Sequence, residues 1–278
     1  MKHLNTYKNE SFNMKPMATY ITEYIIKKKL DTPIDSEDHQ EYCPTSKGAL
    51  KDTINKLIKQ DIYDFNCIDT SNITDMSNLF DLGLDYVNKN FDVSEWDVSN
   101  VEYMQNMFHN CINFDCDLSN WDVSKVKDMS ILFYECYKFK GKGIEKWNVS
   151  NVEDMRYMLY DCNKLDVNLS GWDVSKVKNM QHMFYHCTNF KGNGLENWNV
   201  SNVTSMESMF EDCANFDCDL SNWNVSNVIS IEKMFSDCIN FTGKGLENWN
   251  MSKLRYKDKI FLRCKSLRKK PTWYKTKL

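Results

Sequence analysis

Seven tryptophans, Trp96, Trp121, Trp147, Trp172, Trp198, Trp223 and Trp249, follow one another at alternating spacings of 25 and 26 residues, and the same phrase is rewritten around each. This period constrains the fold more than any composition could. A unit of about 25 residues cannot close a hydrophobic core alone, so the copies must stack on one another. The join between copies alternates. FDCDLSNW, LDVNLSGW and FDCDLSNW end in the second, fourth and sixth of these tryptophans, whereas FKGKGIEKW, FKGNGLENW and FTGKGLENW, with an inserted residue and two glycines, end in the third, fifth and seventh. Those glycines point to positive φ and make the translational repeat a pair of units.

Counted from each tryptophan, apolar residues stand three before it and two and five after it, as Leu118, Val123 and Val126 do around Trp121. They return at eight, eleven, twelve and fifteen, here Met129, Leu132, Phe133 and Cys136. The first group predicts a short strand entered from a bend, and the steps of three in the second predict one face of a helix. A serine lies between them in every copy, Ser99 to Ser252, and with Glu102 or Glu153 has the spacing of a helix capping box.

The phrase L-x-x-W-x-V-x-x-V followed by M-F-x-x-C-x-x-F resembles the leucine-rich repeat family, with tryptophan in place of the second leucine. It is closer still to the 26-residue repeat of bacterial surface proteins, the BspA-like subclass with W-D-V-S-N-V and M-F-x-x-C, also known as a mycoplasma family of unknown function. The resemblance covers residues 66–264. It implies an α/β fold: a right-handed leucine-rich-repeat-like solenoid of about eight strand–helix units with a helical N-terminal cap, acting as an adhesin-like surface binding module. The same repeat occurs in large DNA viruses and phages.

Four segments follow from this reading. Residues 1–42 form a polar stretch with a short helix from Met17 to Leu30, and residues 43–65 a capping helix started by Cys43-Pro44-Thr45-Ser46, with Leu50, Ile54, Leu57 and Ile58 at helical spacing. Residues 66–264 are the repeats, opened by a degenerate copy in which Ile68 replaces tryptophan, with a loop at Asp81–Asn90. Residues 265–278 are a basic tail. Residues 253–278 hold eleven Lys or Arg against one acid, Asp258, for +10. Residues 1–60 carry +2, so the segment between them carries −16 within a total of −4.

Seven of the eleven cysteines lie fifteen residues after a tryptophan, which predicts buried packing thiols. The N-terminus has no apolar core of a signal peptide, and no anchor is visible. A cytoplasmic or phage- or virus-associated setting is therefore expected over a secreted one.

No catalytic residue, cofactor or metal site is expected. The recurring serine has no recurring histidine beside it; His182 and His186, four apart, are too few to hold a metal; Asp115 with Asp117 and Asp217 with Asp219 read as polar turns. The tryptophans are expected to be buried. Function is expected on the residues between the signature positions, namely Asp97, Asn120, Asp122, Lys146, Asn148, Asp173, Asn197, Asn199, Asn222 and Asn224, as a non-enzymatic scaffold facing a protein or a cell-surface component. A second reading gives Lys265–Lys277 to nucleic acid or an anionic membrane, and no transmembrane segment is expected.

Overall fold

A computed structural model describes residues 42–80 and 89–275. The helix expected at Met17–Leu30 and most of the expected loop at Asp81–Asn90 lie outside these.

Within residues 43–65 the expected helix forms over the middle of the segment. Helix α1, Lys47–Ile58, starts at Ser46, whose hydroxyl accepts from the Ala49 N–H at 3.2 Å. Leu50, Ile54 and Leu57 are buried in the one apolar core that runs through the described residues. On its first turn, Lys47 Nζ reaches Asp75 and Ser77 of the degenerate unit at 2.7 and 2.8 Å.

The strand–helix unit does not form. Among the described residues α1 is the one α-helix, accompanied by three single 3-10 turns and a series of isolated parallel bridges, with no sheet. Each repeat is a chain of tight turns. In the copy around Trp121, N–H to C=O bonds across three residues join Trp121 to Leu118, Val126 to Val123, Leu132 to Met129, Cys136 to Phe133 and Phe139 to Cys136. The first and fourth residues of each turn both face the core. A step of three is thus the signature of a turn as well as of a helix, and the spacing alone does not separate the two.

Two residues per copy prevent the helix outright. The tenth and fourteenth residues after each tryptophan have left-handed φ near 60°, from Asn106 and Asn110 through Ile131 and Glu135 to Lys259 and Arg263. A left-handed residue every four interrupts the helical hydrogen-bond series. It also turns alternate N–H groups outward along the stack. The N–H groups of Met180, His182, Phe184 and His186 donate to the carbonyls of Ser205, Glu207, Met209 and Glu211 one unit on, at 2.8–3.1 Å. These between-unit bonds offset the left-handed strain, since a buried backbone group left unpaired costs about as much as a lost hydrogen bond. The adjacent bridges run from Asp75 through Tyr103, Asp128, Asp154, Asn179, Ser205 and Ser230 to Tyr256.

Ile131 is the worst residue type for such a position, because it is branched at Cβ. Ile131→Asn is expected to stabilise the fold by about 1 kcal/mol, read as a higher urea midpoint with unchanged slope. An unchanged or lower midpoint would argue against left-handed strain there.

Side-chain columns fill the interior. Each Trp Nε1–H donates to a carbonyl of the preceding unit, as from Trp147 to Leu118 at 3.2 Å and from Trp198 to Leu169 at 3.1 Å. The rings of Trp121 and Trp147 stack with centroids 6.2 Å apart. The cysteine column behaves alike: Cys162 Sγ lies 3.2 Å from the Phe133 carbonyl and Cys213 Sγ 2.8 Å from that of Phe184. All eleven cysteines are free thiols. Burial pushes Cys136, Cys162 and Cys187 well above the ordinary thiol value, so they remain protonated donors.

Candidate binding surfaces

All ten residues selected from the sequence are exposed. They divide into two rows. Asp97, Asp122, Asn148, Asp173, Asn199 and Asn224 each accept, through Oδ1, the N–H of the serine two residues on, as Asp122 does from Ser124 at 3.0 Å. These are Asx turns, and the serine that suggested a helix cap is instead the residue whose N–H is capped. The other row joins neighbouring units: Asn120 Nδ2 faces Glu95 Oε1 at 3.5 Å, and Asn222 Nδ2 donates to Asn197 Oδ1 at 3.3 Å. Lys146 lies in the same row. One row therefore has a local duty at its acceptor oxygen, while the charge on Asp97, Asp122 and Asp173 is free of that duty, because asparagine performs it in other copies.

Three of the four paired acids make ion pairs with the lysines of the glycine joins, and Asp217 instead accepts from Thr242. Asp115 meets Lys140; Asp117 meets Lys142 at 2.8 Å and Asp219 meets Lys244 at 2.7 Å. The Lys142 and Lys244 ammonium groups hold the Asp117 and Asp219 carboxyls down at about 2. Each folded-state value is below its unfolded one, so the contribution is complete above about pH 4 and is lost as pH falls toward about 2. The thermal midpoint should drop through that window, and less so in the double variant Asp117→Asn, Asp219→Asn. Equal acid sensitivity in the variant would remove these pairs from the explanation. Because both pairs are exposed, their effect is small at high salt.

His182 and His186 do not share a helix face. Both occupy left-handed positions. His182 stacks on Tyr157 with ring centroids 4.6 Å apart, and burial pushes it down to about 4. His186 Nδ1 contacts Asp161. Among the described residues no group of three or more His, Cys, Asp or Glu is placed to hold a metal.

A half-buried aromatic stripe went unnoticed in the sequence. Tyr134, Tyr160 and Tyr185, each thirteen residues after a tryptophan, stack at 4.4 and 4.5 Å with His109 beyond Tyr134 at 5.2 Å. Their recurrence at one register was the available signal. A helical reading of the unit hides it, because it places that register on the outer face of a helix.

The basic end is folded onto the repeats. Trp273, 24 residues after Trp249, donates its Nε1–H to the Leu246 carbonyl at 2.7 Å and stacks on Trp249 at 6.1 Å. It is a further rung of the ladder. Lys269 lies 3.7 Å from Glu247, and Lys270 lies over the Tyr274 ring. Among the described residues no helix is long and apolar enough to cross a membrane.

Turn-built units stacked in register, with internal columns and variable exposed rows, define a repeat protein. The profile of the Mycoplasma protein of unknown function DUF285 matches residues 49–171 and again 153–274, and the chain belongs to that family. No curated protein and no solved structure matches it.

Proposed function

We propose that this DUF285 member is a non-enzymatic binding protein that presents its polar repeat surface, rows Asp97 to Asn224 and Asn120 to Asn222, to a protein or cell-surface partner. The observation that supports this is the division of labour within each unit. The repeated apolar letters are taken up by core and turns, while both polar rows, whose residues alternate between Asp, Asn and Lys, are exposed. The resemblance of W-D-V-S-N-V and M-F-x-x-C to BspA-like surface repeats is in keeping with an adhesin-like role. The test is affinity capture with the chain and with the triple variant Asp97→Asn, Asp122→Asn, Asp173→Asn, which keeps the Asx-turn oxygens and removes three charges. The proposal expects loss of the captured partner at unchanged stability; undiminished capture would contradict it.

A further inference from the structure

The ladder has unlike ends. In every inner unit the N–H groups eight, ten, twelve and fourteen residues after the tryptophan donate to carbonyls of the next unit; Met206, Ser208, Phe210 and Asp212, for example, reach Ser230, Glu232, Met234 and Ser236 at 2.8–3.0 Å. In the unit of Trp249 the corresponding residues are Lys257, Lys259, Phe261 and Arg263. The N–H groups of Lys259, Phe261 and Arg263 have no acceptor among the described residues. Lys259 and Arg263 keep the left-handed φ of their register, 56° and 57°, and are exposed, while the Phe261 side chain between them is buried against Trp273 and Tyr274. At the opposite end α1 lies over the first unit, with Lys51 Nζ 3.4 Å from the Asn78 carbonyl.

A row of aligned, unpaired backbone donors is a template for another chain. Its preferred acceptor is shown by the same protein: at every inner unit the row takes peptide carbonyls from alternate residues. The surroundings add a sign. Lys259, Lys265 and Arg268 are exposed around this end, and residues 253–278 contain one acid, Asp258. Tyr256 and Leu262 are exposed there, at 55 % and 44 %. We propose that this edge binds an acidic peptide segment of a partner protein, which continues the ladder by offering the carbonyls of every second residue to Lys259, Phe261 and Arg263 while its carboxylates face the lysines and arginines. This site is separate from the polar rows.

The chain's own inner segment Val203–Cys213, VTSMESMFEDC, is acidic and makes this contact within the fold, so it serves as the probe, with Cys213→Ser and a scrambled peptide as control. Amide hydrogen exchange is followed by NMR on the full chain. Without peptide, the Lys259, Phe261 and Arg263 amides should exchange at least about tenfold faster than those of Ser208, Phe210 and Asp212. Peptide should slow the three by about tenfold or more, and Lys259→Glu or Lys265→Glu should weaken its binding by a similar factor. Three amides already protected in the free chain would overturn the proposal. So would equal binding of the scrambled peptide, binding that leaves these amides unprotected, or protection by oligothymidylate where the peptide gives none.

Discussion

Trp147→Ala is expected to lower stability by about 3–5 kcal/mol, the range for truncating a fully buried tryptophan. Its ring is buried against Trp121 and Phe133, at 6.2 and 6.1 Å, and its Nε1–H holds the Leu118 carbonyl of the preceding unit. Two losses therefore add: a cavity on the core axis and a buried carbonyl without its donor. Trp147→Phe separates them, since it keeps most of the ring volume and removes the donor, and should cost about 1–3 kcal/mol. Urea unfolding of both variants measures the difference. Equal, small losses would mean that the column is not the axis on which the units are assembled.

Gly143→Ala is expected to be nearly as damaging for a different reason. Gly143 has φ of 95°, and a Cβ there would lie 2.2 Å from the Ser119 nitrogen and 2.5 Å from the Leu118 carbonyl carbon. Both clashing atoms are backbone and belong to the preceding unit. Neither can rotate away, so the units must separate locally. The combined conformational and steric cost should be about 3 kcal/mol or more. Gly171→Ala is the control: its Cβ would meet only the Glu145 carbonyl oxygen, at 3.3 Å. A shift below about 1 kcal/mol is expected for it. If the two variants unfold at the same urea concentration, the close approach at Gly143 is not a constraint.

These expectations rest on parts of the fold that were legible and parts that were not. The stacking of units, the inward tryptophans, the buried thiols of every copy but the last and a helix starting at Ser46 could be read because each depends on which residues avoid water or satisfy a helix start. The conformation of the unit could not. Leu118, Trp121, Val123, Val126, Met129, Leu132, Phe133 and Cys136 mark the same inward positions whether the backbone runs as strand and helix or as successive turns. What distinguishes them is the sign of φ at the tenth and fourteenth residues, filled by Asn, Ile, Glu, Tyr, Asp, His, Ser, Lys and Arg in different copies. Glycine would have announced a left-handed position. A varied set, held in place by hydrogen bonds from another unit, does not.

The surfaces were legible to a similar degree. The exposed polar rows follow from alternation with the buried signature, and the structure places all ten chosen residues in solvent. The Asx-turn duty of Asp97, Asp122 and Asp173 was hidden by the helix-cap reading of the serines. Trp273 escaped the repeat because its spacing is 24 and lysines surround it. Its indole nevertheless continues the column.

The most direct test of the turn-built unit is an NMR measurement on the segment Met180–Cys187. The account predicts positive φ at both His182 and His186 from their three-bond couplings and chemical shifts, with a scalar coupling across the hydrogen bond from the His182 amide to the Glu207 carbonyl. Negative φ throughout the segment, with couplings from each amide to the carbonyl four residues earlier, would show a helix and contradict it.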